Sequence, residues 1–228
     1  MTKLIWDAEG SRRFEMGTDR GVLYKKKTDG SYDIGVAWNG LTAVTESPSG
    51  AEKTDLYADN IKYASLLSAE DYGATIEAYT YPDEFAECDG SLEIAPGVYG
   101  GQQSRVGFGL SWRTLIGTDA NANAGYKIHI VYGAMASPSE KAFATVNDSP
   151  EAVTLSWEMT TTPVQSGTLP KPTAVLTISS IEADPTKLAA LEAILYGTDT
   201  KAGDATDPRL PTVDEVAELM KAEVTPGS

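Results

Sequence analysis

The feature that most constrains this chain is an interruption between two extended segments. From Gly35 to Tyr81 the strand-like ends, Ile34–Glu46 and Ala74–Tyr81, flank a long middle, Ser47–Gly73, that has no clear period. Structureless loops longer than about 12–15 residues are uncommon in compact domains, and are usually functional or disordered. Disordered segments are poor in aliphatic and aromatic residues. This one carries Leu56, Tyr57, Ile61, Tyr63, Leu66 and Leu67, with Asn60 among them. The middle is therefore expected to be an arm that becomes ordered against a partner, with another copy of the chain the first candidate.

The remainder reads mainly as β-structure. Leu4, Ile5 and Trp6 are a short apolar anchor ahead of a polar segment. Arg20–Lys26, with Val22 and Tyr24 on one face, and Tyr32–Trp38 form a hairpin around Asp29-Gly30, a pair that supplies the φ > 0 positions of tight turns. Pro82 followed by acidic residues, with Gly90 as a stop, outlines one or two helical turns. Ser91–Ser104 reads as loop. Arg105–Thr114 is a strand with Val106, Phe108, Leu110 and Trp112 on one face and Gly107, Gly109 and Ser111 on the other, and the glycine face predicts close approach of a backbone or a ring. Lys127–Gly133 is a strand with Ile128, Ile130 and Tyr132 inward, and Ala134–Pro150 reads as irregular. Ala152–Thr161 alternates cleanly through Val153, Leu155, Trp157 and Met159, and Ala174–Ser180 is the last strand.

The end of the chain changes character. Asp184-Pro185 opens a helix with Leu188, Leu191, Ile194 and Leu195 on one face and Gly197 closing it. Thr212 with Glu215 is a capping box ahead of the stripe Val213, Val216, Leu219 and Met220, for a helix over Val213–Val224. The expected division is residues 1–181 as a β-sandwich or barrel with a short flanking helix, and residues 182–228 as a helical extension.

Charge and composition exclude several functions. A net charge of −15 argues against gripping nucleic acid, which needs clustered Lys and Arg. It is compatible with a surface past which nucleic acid slides without sticking, and it keeps a self-assembling protein soluble. The one basic run, Lys25-Lys26-Lys27, reads as a solvated strand end. Cys88 is the single cysteine, so no intramolecular disulfide forms, and a reducing compartment is expected. No signal peptide is recognisable, and no stretch approaches the ~18 apolar residues of a membrane helix. A soluble protein made in a cytoplasm is the expectation, without membrane contact.

Catalytic chemistry finds little support. His129, the single histidine, sits mid-strand between Ile128 and Ile130 and reads as a packing or surface residue, because a general base needs oriented partners. Cys88 lies between Glu87 and Asp89, which disfavour a thiolate. There is no serine elbow, P-loop or dinucleotide fingerprint. Asp119–Gly125 imitates the start of a calcium loop, but its glycine comes one residue late and Ile130 stands where the bidentate Glu is needed. Asn147-Asp148-Ser149 is a sequon followed by Pro150. No enzyme, cofactor or metal is expected.

The ordered series WNGLT, GAEKTDLYADNIKY, TIEAYTYPDEFAECDG, GQQSRVGFGLSWRT, GYKIHIVYGA, NDSPEAVTLSWEMTTTPV, KPTAVLTISS and LEAILYG resembles the major tail tube proteins of long, non-contractile-tailed bacteriophages. The likeness runs from Leu4 to Tyr196 and leaves Thr198–Ser228 unplaced. It implies a structural virion protein of the phage tail, assembled in the bacterial host cytoplasm. In that reading it forms homohexameric rings that stack into a tube for genome ejection, and one sheet per subunit lines the bore. The implied partners are further copies, the tape measure protein and other tail proteins, with DNA passing through an acidic lumen. The arm takes the place of the inter-ring loop, with Leu56, Tyr57, Asn60, Ile61, Tyr63, Leu66 and Leu67 as its contact residues. Which carboxylates face the lumen depends on register and stays unassigned. The alternative is a β-sandwich adhesion or carbohydrate-binding module, suggested by the surplus of Tyr and Trp. A two-carboxylate hydrolase has only the acidic composition behind it.

Overall fold

A computed structural model describes residues 4, 6–143, 145, 152–199 and 205–221. The described chain is mainly antiparallel β with three short helices. The strands before the first helix are β1 (Arg13–Lys25), β2 (Val36–Trp38), β3 (Leu41–Glu46), β4 (Ser49–Gly50), β5 (Lys53–Ala58), β6 (Ile61–Leu67), β7 (Glu70–Asp71) and β8 (Gly73–Ala78). Helix α1 (Phe85–Cys88) precedes β9 (Leu92–Ala95), β10 (Val98–Gly100), β11 (Phe108–Thr118), β12 (Gly125–Ala136), β13 (Leu155–Thr161) and β14 (Val175–Ser179). Helices α2 (Pro185–Tyr196) and α3 (Val213–Met220) follow.

The main sheet runs β2-β1-β11-β12-β13-β8-β3, with β14 added beside β12. It folds into two layers because β12 serves both. Lys127–Val131 pairs with β14, whereas Ala134–Ala136 pairs with β13. The change falls at Gly133, whose φ is +59° and where a Cβ would lie 2.4 Å from the Thr162 carbonyl oxygen. At the far side, β2 and β3 end the path in opposite layers and are joined only by Asn39-Gly40. One chain segment thus closes the sandwich there.

Alternation along the strands fills the space between the layers. Leu23, Ile76, Phe108, Leu110, Trp112, Trp157 and Met159 are buried in one cluster. Helix α1 completes it: the Phe85 ring lies 4.6 Å from Trp38, 5.2 Å from Trp157 and 5.4 Å from Phe108. A second cluster covers the outer face of the β1-β11-β12 layer. There Leu188, Leu191, Leu195, Val213 and Val216 pack on Val22, Tyr24, Ile128, Ile130 and Tyr132. Tyr24 Oη donates to the Leu195 carbonyl at 2.8 Å and Tyr132 Oη to the Pro211 carbonyl at 3.0 Å, so the two long tyrosines tie the helical segment to the sheet. Gly109 admits it: a Cβ there would lie 2.4 Å from Leu210 and 3.2 Å from the Tyr32 ring.

The starts of α2 and α3 follow the capping rules. Asp184 accepts from the Thr186 and Lys187 amides ahead of Pro185, and Thr212 with Glu215 closes a reciprocal capping box.

Several expected segments differ. β1 begins at Arg13 rather than Arg20, because a bulge between Asp19 and Val22, with Arg20 at φ 50°, hides its alternation. Of the expected Tyr32–Trp38 strand, Val36–Trp38 joins the ladder and Tyr32 makes an isolated antiparallel bridge to Lys26, while Ile34 is exposed. Ser91–Ser104 contains the β9–β10 hairpin, and β12 continues to Ala136. Ile128, Ile130 and Tyr132 face the helices, while Val131 faces the space between the layers. β13 starts at Leu155, leaving Val153 exposed. Ile5, the sequon Asn147–Ser149 and the stretch beyond residue 221 lie outside the described residues.

Candidate functional site

The arm is the continuation of one hairpin of the main sheet. β3 and β8 pair as Val44↔Ile76, Thr45↔Thr75 and Glu46↔Ala74. The ladder then runs outward through Ser47 N to Gly73 O at 2.8 Å, the short β4–β7 pair and Ala51 N to Ala69 O at 3.1 Å, into β5–β6. Asp59 and Asn60 form its tip with φ of 51° and 62°. Two successive positive φ values belong to the two-residue turns that match strand twist, and Asp and Asn tolerate them. The expectation of an aperiodic segment ordered only by a partner is corrected: cross-strand pairing orders it within one chain. Its period is hidden by the bulge between Leu56 and Tyr57. The Asp-Asn tip was the available signal.

Asp55 holds the hairpin locally. It accepts from Ser65 Oγ at 2.7 Å and from Lys62 Nζ at 2.8 Å, and Lys53 Nζ lies at 3.4 Å. The Lys62 contact, then Ser65, keeps its carboxyl below the usual range.

The expected contact residues are brought together on this hairpin, and they face solvent. Tyr57 is 71% exposed, Ile61 66%, Tyr63 75% and Leu67 72%, while Leu56 and Leu66 are also exposed. The register puts Leu66 opposite Thr54 on one face and Leu67 opposite Lys53 on the other. Exposed apolar groups on both faces cannot be covered by the body of the same molecule on both sides at once. Asn60 differs in role, since its backbone makes the turn.

The β3-β8-β13 layer below the arm has two unlike faces. Ala74, Ile76, Ala78, Trp157 and Met159 point into the core. On the outer face the register aligns Ala43, Glu77 and Ser156 in one row, and Thr45, Thr75 and Glu158 in the next. These rows hold two carboxylates and no Lys or Arg. Neither α2 nor α3 packs there, because both belong to the cluster on the other layer. The carboxylates on this face, which sequence reasoning could not assign, are Glu77 and Glu158.

The arm leaves one end of β8, and α1 with β9–β10 follows from the other. That second hairpin also exposes apolar groups, namely Leu92, Ile94, Val98 and Tyr99. The chain therefore carries one apolar hairpin before β8 and another after it.

The His129 ring stacks on Trp112 at 5.0 Å and 7° between planes. Burial of Cys88 pushes its thiol up to about 12. The calcium-like loop is a hairpin connection in which the Thr118 amide donates to the Asn121 carbonyl at 2.7 Å. Among the described residues no group of three or more His, Cys, Asp or Glu could hold a metal, and no helix is long and apolar enough to cross a membrane. Trp38, Trp112 and Trp157 are buried, and Trp6 is the exposed tryptophan. An open apolar groove of about 370 Å³ runs between α3 and β14, lined by Leu169, Ile178, Val216 and Met220. No protein-family model matches this chain, and no curated protein matches it.

Proposed function

We propose that this protein is a structural tube subunit, similar to the phage tail tube proteins, that assembles head to tail through its arm and lines a bore with the outer face of the β3-β8-β13 layer. The observation that carries the reading is the joining of two features in one hairpin. The β8 strand carries Glu77 on the outer face it shares with Glu158 of β13, and its pairing with β3 extends into an arm with exposed apolar groups on both sides. A contact between unlike surfaces repeats from copy to copy, closing into rings or running on as a filament. Among the described residues β3 ends the strand path and pairs only with β8, and an edge of this kind is one that pairing between copies removes.

In this reading the copies form hexameric rings stacked as a virion tail, with tape measure and other tail proteins as further partners. DNA then passes a surface that repels phosphate. Negative-stain microscopy of the purified chain, with and without residues Thr54–Leu67, tests it. Rings or tubes from the full chain, and a folded, dispersed protein after the deletion, are expected. A full chain that stays monomeric at high concentration, or a deletion variant that forms normal tubes, overturns it.

A further inference from the structure

Strand β14 is an edge of the helix-covered layer. Among the described residues it pairs with β12 alone. The Tyr132 amide donates to the Ala174 carbonyl and the Ser180 amide to the Tyr126 carbonyl. In an antiparallel ladder alternate residues bond to the same neighbour, so Val175, Thr177 and Ser179 turn their backbone groups to the open side. The Val175 amide and carbonyl are met by Thr173 Oγ1, and the Ser179 carbonyl accepts from the Ala183 amide at 3.0 Å. Among the described residues the Thr177 amide and carbonyl and the Ser179 amide have no partner.

This edge borders the apolar groove, whose other wall is α3 with Val216, Ala217 and Met220. The end of the groove is held in place. Asp214, in the first turn of α3, accepts from Ser166 Oγ at 2.6 Å and from the Gly167 and Thr168 amides at 3.1 Å each, which fixes the linker that carries Leu169. A strand edge beside an apolar helix face is the setting for strand addition. There an extended segment gains main-chain hydrogen bonds and seats alternate side chains. The groove follows four consecutive residues, Leu176–Ser179, so it fits a short strand.

The chain itself carries a matching strand. β6 pairs with β5 alone among the described residues, so its outer edge is open as well. Two-residue alternation puts Ile61, Tyr63 and Leu67 on one face, and all three are exposed. Charge agrees with shape. Lys62 is the one charged residue of β6, and Glu182, which makes no ion pair among the described residues, is the one charged residue lining the groove. In a single chain the arm side chains are exposed and the groove is open, so their meeting takes two copies.

We propose that β6 of one copy adds as a strand to β14 of a second copy, with Ile61, Tyr63 and Leu67 facing α3 in the groove. The docking rests on the head-to-tail tube reading, and it supplies the surface that receives the arm.

Two full-length variants, Tyr63→Cys and Ala217→Cys, mixed under mild oxidation test it. The native Cys88 is fully buried, and a disulfide joining the two variants links separate copies by construction. The mixed dimer, identified by its linked peptides, should form about tenfold or more faster than that of a control pair, Tyr63→Cys with Glu158→Cys on the other layer. In the wild-type chain, amide exchange at Thr177 and Ser179 should slow about tenfold or more on assembly. A linked pair no faster than the control, or Thr177 and Ser179 amides that stay unprotected in the assembled chain, overturns the docking, and tubes in that same sample leave the tube reading standing. A fast link in a sample without tubes keeps the docking and removes the tube reading. A chain that stays monomeric and unlinked overturns both.

Discussion

Arg113 and Asp19 form a two-point ion pair across β11 and β1, with Nε to Oδ1 at 2.7 Å and Nη2 to Oδ2 at 2.6 Å. The pairing depends on the β1 bulge, which turns Asp19 toward β11. The guanidinium also stacks 4.7 Å from the Tyr126 ring. Side-chain exposure is 14% for Arg113 and 40% for Asp19, so solvent screens one end.

Asp19→Ala leaves the buried guanidinium unpaired. The expected loss is about 1–2 kcal/mol in a denaturant titration, less than for a fully buried pair because Asp19 is partly solvated. The Arg113 bond lowers the Asp19 carboxyl below 3.8. Its contribution is therefore complete above that value and fades as pH falls through the lowered one. The stabilities of wild type and Asp19→Asn should converge in acid, and a constant gap down to the lowest measurable pH would contradict this assignment.

Gly133 marks the passage of β12 from one layer to the other. Gly133→Ala meets both a positive φ and the Thr162 carbonyl. Thermal unfolding should show a loss of about 1–3 kcal/mol from backbone strain alone. An unchanged melting temperature would mean that the corner does not need this conformation.

Phe85 is the plug of the sandwich, fully buried among Trp38, Phe108 and Trp157. Phe85→Ala should cost about 3–5 kcal/mol. The tryptophan fluorescence of the native state should shift as water reaches the cavity. A loss below 1 kcal/mol would show that α1 is dispensable for the core.

Cys88 is fully buried, and its thiol is pushed up to about 12. A thiol reagent at neutral pH should label the native chain only at the rate of its opening, and denaturant should restore ordinary reactivity. Fast labelling of the folded chain would show that the α1 corner is open.

Tyr63→Asp and Leu66→Asp place charges on exposed arm positions. Each should change monomer stability by no more than about 0.5 kcal/mol. If the chain assembles as proposed, that assembly, read by sedimentation, should be lost. Variants that assemble like wild type would remove the arm from the interface.

Legibility varied with the range of the interaction. Both terminal helices were readable, because Asp184-Pro185 and the Thr212–Glu215 pair act within one helical turn. The alternation of Trp157 and Met159 also identified a core strand correctly. The arm residues were identifiable as an apolar stretch between two strands, but their hairpin was not, because one bulge at Leu56–Tyr57 defeats a two-residue period. β9–β10 escaped for a related reason: it is short, and its register shifts between Val98 and Tyr99.

Taken alone, the order of residues determined the mainly β character, the two capped helices and the place of the arm. Each follows from local periodicity, capping or composition. Only the tertiary structure decided that β12 belongs to two layers, that Glu77 and Glu158 share the outer face of the β3-β8-β13 layer, and that His129 lies beside Glu46 at the end of β3. Those relations join residues far apart in the chain. They depend on strand register, in which a shift of one residue exchanges the buried and exposed faces.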